Sequence, residues 1–142
     1  MKTIIIGADH AGFKLKERLK NELAQLPYAV KDVTPRFKKG DDYPLVAANV
    51  ARRVAKTKER GILICGSGVG MTIAANRVKG IRAVLGHNAK EIERARKDDD
   101  VNVLALSGWK TTAAMALGMV KTFMKTKASN MPRYRRRVKQ LG

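Results

Sequence analysis

Read by its hydrophobic and polar positions, the chain alternates short apolar runs with longer segments of helical period. Thr3 to Gly7 is a β-branched run that opens directly onto Ala8, Asp9, His10, Ala11 and Gly12, the pattern of a buried strand ending in a polar turn. Phe13, Leu15, Leu19, Leu23 and Leu26 then keep helical spacing amid Lys and Glu until Pro27 stops the pattern. Ala29 to Val33 reads as a second strand. Strand, helix and strand within this length make a crossover unit, so the sheet is expected to be parallel.

The rest of the chain repeats the alternation. Thr34 to Asp42 is a loop by composition, with Pro35 and Gly40, and Asp42, Tyr43 and Pro44 introduce a helix carrying Leu45, Val46, Val50 and Val54. Ile62 to Cys65 is the third strand, Ile81 to Leu85 the fourth and Val101 to Leu106 the fifth. Ala89 to Lys97 is a charged helix, and Thr111 to Met124 is the last long one. The reading is therefore α/β, a Rossmann-like three-layer α/β/α sandwich on a five-stranded parallel sheet. No repeat or internal boundary divides residues 1–142, which are expected to form one domain. From Lys125 the tail carries Lys125, Lys127, Arg133, Arg135, Arg136, Arg137 and Lys139 without one acidic residue, so it either floats or docks onto something negative.

Composition changes the picture only in its charge. A chain of 142 residues that is 44% hydrophobic is enough for a real core. Lys and Arg number 30 against 12 Asp and Glu, a formal net charge of +18. That excess attracts phosphates, nucleic acid and anionic surfaces, or is simply a well-solvated surface. The basic residues are spread along the chain, no aromatic residues interleave with them for base stacking, and no zinc-ligand pattern is present, so nucleic acid is not an expected partner. A single cysteine forms no internal disulfide. The first apolar run is too short for a signal peptide, and no stretch approaches the ~18 apolar residues of a membrane span. The expected location is the cytoplasm.

The stretch with most chemistry runs from Gly61 to Asn76. Its strand ends in Cys65, and Gly66, Gly68 and Gly70 follow around Ser67 and Val69. Glycines let backbone N–H groups approach a ligand, and the following helix start adds partial positive charge, so this turn is an anion cradle. Its G-x-G-x-G spacing is not the G-x-G-x-x-G of dinucleotide folds. Cys65 admits two readings: a thiol activated by backbone dipoles, or an inert small hydrophobe closing a buried strand.

In a parallel sheet all strand carboxyl ends share one edge. That edge is expected to collect Asp9 and His10, the loop leading to Tyr43, Cys65 with its glycines, and Ser107 to Lys110. Each has a dull explanation: Asp9 as a cap for the helix near Gly12, His10 as a turn residue, Tyr43 as loop packing. Their joint position at one edge favours a site.

With these residues assembled, the chain resembles the ribose-5-phosphate isomerase B and galactose-6-phosphate isomerase family. The resemblance rests on Gly7 to Gly12, Asp42 Tyr43 Pro44, Ile64 to Met71 with Ile73 to Asn76, Gly80 to Ala83, Asn102 to Leu104, and Arg133 to Arg137, in order and over nearly the whole length. It implies an aldose-ketose isomerase that works through a cis-enediol without metal or organic cofactor, most simply on ribose 5-phosphate. Cys65 is then the base, with Ser67 and the N–H groups from Gly66 through Gly68 and Val69 to Gly70 holding the enediolate oxygen. Asp9 and Tyr43 line the substrate, and His10, Arg133 and Arg137 match phosphate-binding positions. The resemblance also implies a homodimer, or a tetramer of such dimers, with shared active sites and a tail (residues 125–142) that crosses to the partner.

Four positions depart from the family pattern. Asp98 and Asp99 stand where a His-Asn pair is usual, so Asp98 takes the place of the ring-opening residue and Asp99 that of a substrate ligand. Trp109 stands where an arginine is common, and Tyr134 replaces a tail histidine. These departures leave open an isomerase of another sugar phosphate, such as galactose 6-phosphate or a linear substrate, and a catalytically silent basic phosphate- or nucleic-acid-binding protein on the same scaffold.

Overall fold

The computed structural model describes residues 1–142. Five strands, β1 (Lys2–Ala8), β2 (Tyr28–Asp32), β3 (Arg60–Cys65), β4 (Ala83–Leu85) and β5 (Val103–Ser107), form one sheet in the order β2-β1-β3-β5-β4. Every pairing is parallel. The helices are α1 (Phe13–Leu23), α2 (Tyr43–Thr57), α3 (Val69–Asn76), α4 (Ala89–Asp99), α5 (Ala113–Lys125) and α6 (Pro132–Leu141).

The sheet is covered on both faces, which is why its strands read as continuous apolar runs. Successive residues point to opposite sides. Ile4, Ile6, Ile62, Ile64, Leu104 and Leu106 join the core that α1, α4 and α5 complete. Ile5, Leu63, Cys65, Val103 and Ala105 join the core under α2 and α3. The expected three-layer α/β/α architecture is therefore the observed one.

The boundaries differ from expectation where side chains take over the backbone's hydrogen bonds. Asn102 Oδ1 accepts the Arg82 N–H at 2.8 Å, so β4 begins at Ala83 and not at Ile81. The tail holds the one helix that periodicity did not reveal. Pro132 supplies the pre-set φ of a first helical turn, and α6 leans on α4 while burying none of its own residues. Its five basic side chains hide a periodicity that only Tyr134 and Val138 carry, both half-buried and one turn apart.

Three cations fix the layers, two of them, Lys16 and Arg96, buried. Lys16 of α1 is fully buried and reaches Asp32 Oδ2 at 2.7 Å and the Thr34 carbonyl at 2.5 Å, tying the exit of β2 to the helix layer. At the opposite edge Arg60 donates to the Phe123 and Met124 carbonyls, and Arg96 donates to the Thr126 carbonyl at 2.9 Å. The end of α5 and the end of α4 are thereby anchored beside the strand starts.

Candidate active site

The strand exits are stitched to one another before any side chain is considered. Asp9 N–H donates to the Ile64 carbonyl at 3.2 Å, Gly108 N–H to the Cys65 carbonyl at 2.7 Å, and Trp109 N–H to the Gly66 carbonyl at 3.1 Å. The Ser107 hydroxyl adds a bond to the Gly66 carbonyl at 2.6 Å. The exits of β1, β3 and β5 are thus one hydrogen-bonded platform.

Cys65 sits in the middle of it. Gly68 caps α3 with φ +80°, a left-handed conformation that suits glycine, and this turn points the Gly68 N–H at the Cys65 sulfur, 3.1 Å away. The sulfur is largely enclosed: Cys65 is 4% exposed and belongs to the core beneath α2 and α3. Both sequence readings meet in one residue, a buried strand end whose sulfur is nonetheless held by the glycine turn. Ser67 is exposed, and its Oγ accepts the Val69 N–H at 3.2 Å. Since that bond uses a lone pair, the hydroxyl proton is free to donate outward. The N–H groups of Val69 and Gly70 lie in the first turn of α3, where no intrahelical carbonyl can take them.

Asp9 and His10 stand on the neighbouring exit. Asp9 is buried, and its Oδ1 accepts the Gly12 N–H at 3.0 Å just before α1. It therefore braces the helix entry as its dull reading expects, although the helix's own N-cap residue is Gly12. Burial pushes the Asp9 carboxyl above the usual carboxylate range, against the Gly12 N–H and the nearby His10, which pull it down. His10 is half-exposed and bonds through Nδ1 to Asp41 at 3.0 Å. That bond raises the imidazole above its ordinary value, more than burial lowers it. Asp41 carries no signal in the sequence, because its partner is 31 residues away.

Aromatic rings flank the cradle at its first and last glycine. A Cβ on Gly66 would stand 2.4 Å from the Trp109 indole, and a Cβ on Gly70 would stand 2.4 Å from the Tyr43 ring. The two rings therefore lie directly on the glycine backbone, and 73% of Trp109 and 40% of Tyr43 remain exposed.

The other expected site residues do not reach this edge within one chain. Strands run parallel, so α4 begins beside the exits and ends at the strand starts, taking Asp98 and Asp99 with it. Asp98 is engaged by Arg94 at 2.6 Å, and Asp99 is exposed. Arg133 and Arg137 are exposed on α6, 4.9 and 5.8 Å from the Tyr134 ring that lies between them. A cavity of about 420 Å³ lined by Asp98, Ser129, Tyr134 and Arg135 separates α4 from α6. The expected site residues thus fall into two groups at opposite ends of the sheet.

A family model described as ribose/galactose isomerase matches residues 4–141. The chain belongs to that family. A probable ribose-5-phosphate isomerase B of Mycoplasma genitalium is 39% identical over 141 residues, covering 97% of this chain and 92% of the relative. The solved ribose-5-phosphate isomerase B of the same organism, with bound ribulose 5-phosphate, is 38% identical with a TM-score of 0.90, covering 98% of this chain and 93% of the other. The Thermotoga maritima ribose 5-phosphate isomerase structure has a TM-score of 0.93 at 37% identity, covering 99% and 97%. A D-erythrulose-4-phosphate isomerase of Mycolicibacterium smegmatis is 37% identical over 125 residues, covering 85% and 82%. The family's members thus differ in the length of the sugar named for them. No helix of this member is long and apolar enough to cross a membrane.

Proposed function

We propose that this chain is an aldose-ketose isomerase of phosphorylated sugars that interconverts ribose 5-phosphate and ribulose 5-phosphate, with Cys65 as the base. The observation that carries this reading is the β3 exit, where the Gly68 N–H meets the Cys65 sulfur and the neighbouring Ser67 hydroxyl is free to donate. The thiolate takes the proton from C2 of the aldose. The C–H electron pair becomes the C1–C2 double bond and the aldehyde π pair moves onto O1. A negative O1 is what Ser67 and the first-turn N–H groups of α3 suit, because preorganised donors stabilise developing charge at no reorganisation cost. Transfer of the hydroxyl proton from O2 to O1 and return of the thiol proton to C1 complete the ketose.

Asp9 and Tyr43 border the sugar, and His10 with Arg133 and Arg137 takes the phosphate. Two subunits are required for this set, because a single chain separates Cys65 from Arg137 by the length of its sheet. A homodimer in which α6 and the end of α4 reach the partner's Cys65 edge joins the half-sites. Exposed Leu45, Val69 and Ile73 beside that edge supply the apolar surface such a contact needs.

A linear sugar phosphate is the second reading, favoured by Asp98. An ionised carboxylate bound to Arg94 is a poor proton donor for ring opening, and a four-carbon aldose phosphate does not need that step. Turnover of ribose 5-phosphate and erythrose 4-phosphate in deuterium oxide separates the two. Higher kcat/KM for ribose 5-phosphate with deuterium entering carbon positions 1 and 2 supports the first, a preference for erythrose 4-phosphate the second, and no turnover of either overturns both.

A further inference from the structure

Asp41 lies in the loop between β2 and α2, just after Gly40, whose φ of +68° turns the chain back toward the exit of β1. One oxygen of its carboxylate, Oδ1, takes two bonds from the same residue: the His10 backbone N–H at 2.8 Å and the His10 Nδ1 at 3.0 Å. A carboxylate only accepts, so Nδ1 carries the proton and the ring cannot adopt the other neutral tautomer without losing the bond. Asp41 is 14% exposed and His10 44%, so the clamped side of the imidazole faces the protein and Nε2 is the nitrogen left for a ligand. No contact of Asp41 with the cradle is needed for this arrangement.

We propose that Asp41 is a positioning residue for substrate binding: by gripping His10 at both its backbone and its Nδ1, it presents Nε2 as a fixed cationic donor to the substrate's phosphate. The proposal rests on the isomerase reading and deepens it. A half-exposed imidazole otherwise samples several rotamers, and binding must then order it at the expense of affinity. The charged groups that face His10 are Asp41 from the loop and Asp9 from its own turn, both anionic when ionised and both favouring the imidazolium. A phosphate arriving at Nε2 meets a protonated ring whose other nitrogen already has its hydrogen-bond partner, and hydrogen bonds between ionised partners are the stronger class.

The clamp predicts a pH dependence with a definite sign. His10 holds its proton to higher pH than an isolated imidazole, so phosphate affinity is full below its titration and is lost as pH rises through it. The chain has 2 histidines, which makes the imidazole resonances resolvable by NMR, with His10→Asn giving the assignment. Wild-type His10 is expected to titrate above the ordinary imidazole range. Asp41→Asn keeps an acceptor but removes the charge, and Asp41→Ala removes both; each is expected to move the His10 titration to lower pH.

With inorganic phosphate as the probe, the His10 resonance of the wild type responds saturably, and Asp41→Ala weakens that response about fivefold. With ribose 5-phosphate, KM rises on the alkaline side at the His10 titration. In Asp41→Asn that limb moves to lower pH while kcat at saturating substrate is unchanged. A His10 titration that is the same in Asp41→Asn and wild type overturns the proposal, as does a shifted titration that leaves the KM limb in place. A chain that turns over no sugar phosphate, yet whose His10 still answers phosphate through Asp41, overturns the isomerase reading and supports the clamp.

Discussion

The Trp109 indole lies on the backbone of Gly66, in the space a Cβ at that position would fill. The two segments are tied together there, because the Trp109 backbone N–H and the Ser107 hydroxyl both bond the Gly66 carbonyl. Trp109 is the sole tryptophan of the chain, so its fluorescence reports on the cradle directly. Ribose 5-phosphate is expected to change the emission saturably, with a midpoint matching the binding measured by calorimetry. Gly66→Ala drives a methyl into the ring, displaces the indole and shifts the first glycine of the cradle. A displacement on the order of 1 Å at a reacting centre costs up to about 100-fold in rate, so kcat is expected to fall by roughly 10- to 100-fold with the fold intact. Unaltered kcat in Gly66→Ala would contradict this placement.

Gly68 carries a heavier constraint. Its φ of +80° disfavours any L residue, and a Cβ there would stand 2.4 Å from Leu85 Cδ1. Gly68→Ala is expected to destabilise the protein by about 2–4 kcal/mol, from left-handed strain and overpacking together. Urea denaturation measures it, and a cost below about 1 kcal/mol would mean that the turn relaxes.

Stability should also carry a signature of the buried pair between Lys16 and Asp32. Burial alone would raise the Asp32 carboxyl, but hydrogen bonds from Lys16, Lys20 and the Thr34 N–H outweigh it and hold the group below its usual value. A carboxyl depressed in the folded state stabilises the protein above its unfolded-state pKa of ~3.9, and that contribution disappears as pH falls through the folded value. The melting temperature is therefore expected to drop below about pH 4, and Asp32→Asn is expected to flatten that acid limb. Lys16→Ala leaves Asp32 with Lys20 as its one cation and a cavity where the stem was, a loss of about 3 kcal/mol at neutral pH. An acid limb of the same size in Asp32→Asn would assign it elsewhere.

The shared site can be tested by mixing two inactive variants. Cys65→Ala and Arg137→Ala each disable both sites of a homodimer when the sites are built across the interface. A mixed dimer contains one site with both native residues, so random reassortment of equal amounts is expected to restore about a quarter of wild-type activity. No recovery in verified mixed dimers would mean that Cys65 and Arg137 act within one chain and that the site is not shared.

The sheet was legible because its signal is local and repeated. Ile4, Ile5 and Ile6 feed two cores at once, as the residues of a strand covered on both faces do. The strand exits followed from parallel topology, and with them Asp9, His10, Tyr43 and Cys65 at one edge. Helix α6 escaped because five basic residues in ten mask its two half-buried positions, Tyr134 and Val138. Asp41 escaped for a different reason: a carboxylate in a polar loop is unremarkable until folding sets it against a residue 31 positions earlier. Burial of the Cys65 sulfur was one of the two readings its strand-end position offered, and what decided between them was how α2 and α3 close over the strand.

The measurement that bears most directly on the chemistry is proton exchange by Cys65→Ala. Wild-type protein in deuterium oxide is expected to place deuterium on the carbon-bound positions of ribose 5-phosphate and ribulose 5-phosphate as it interconverts them. Cys65→Ala, with circular dichroism and melting close to wild type, is expected to lose that exchange by at least about 1,000-fold, the scale of an essential base. Exchange and isomerisation at wild-type rates in Cys65→Ala would contradict the account.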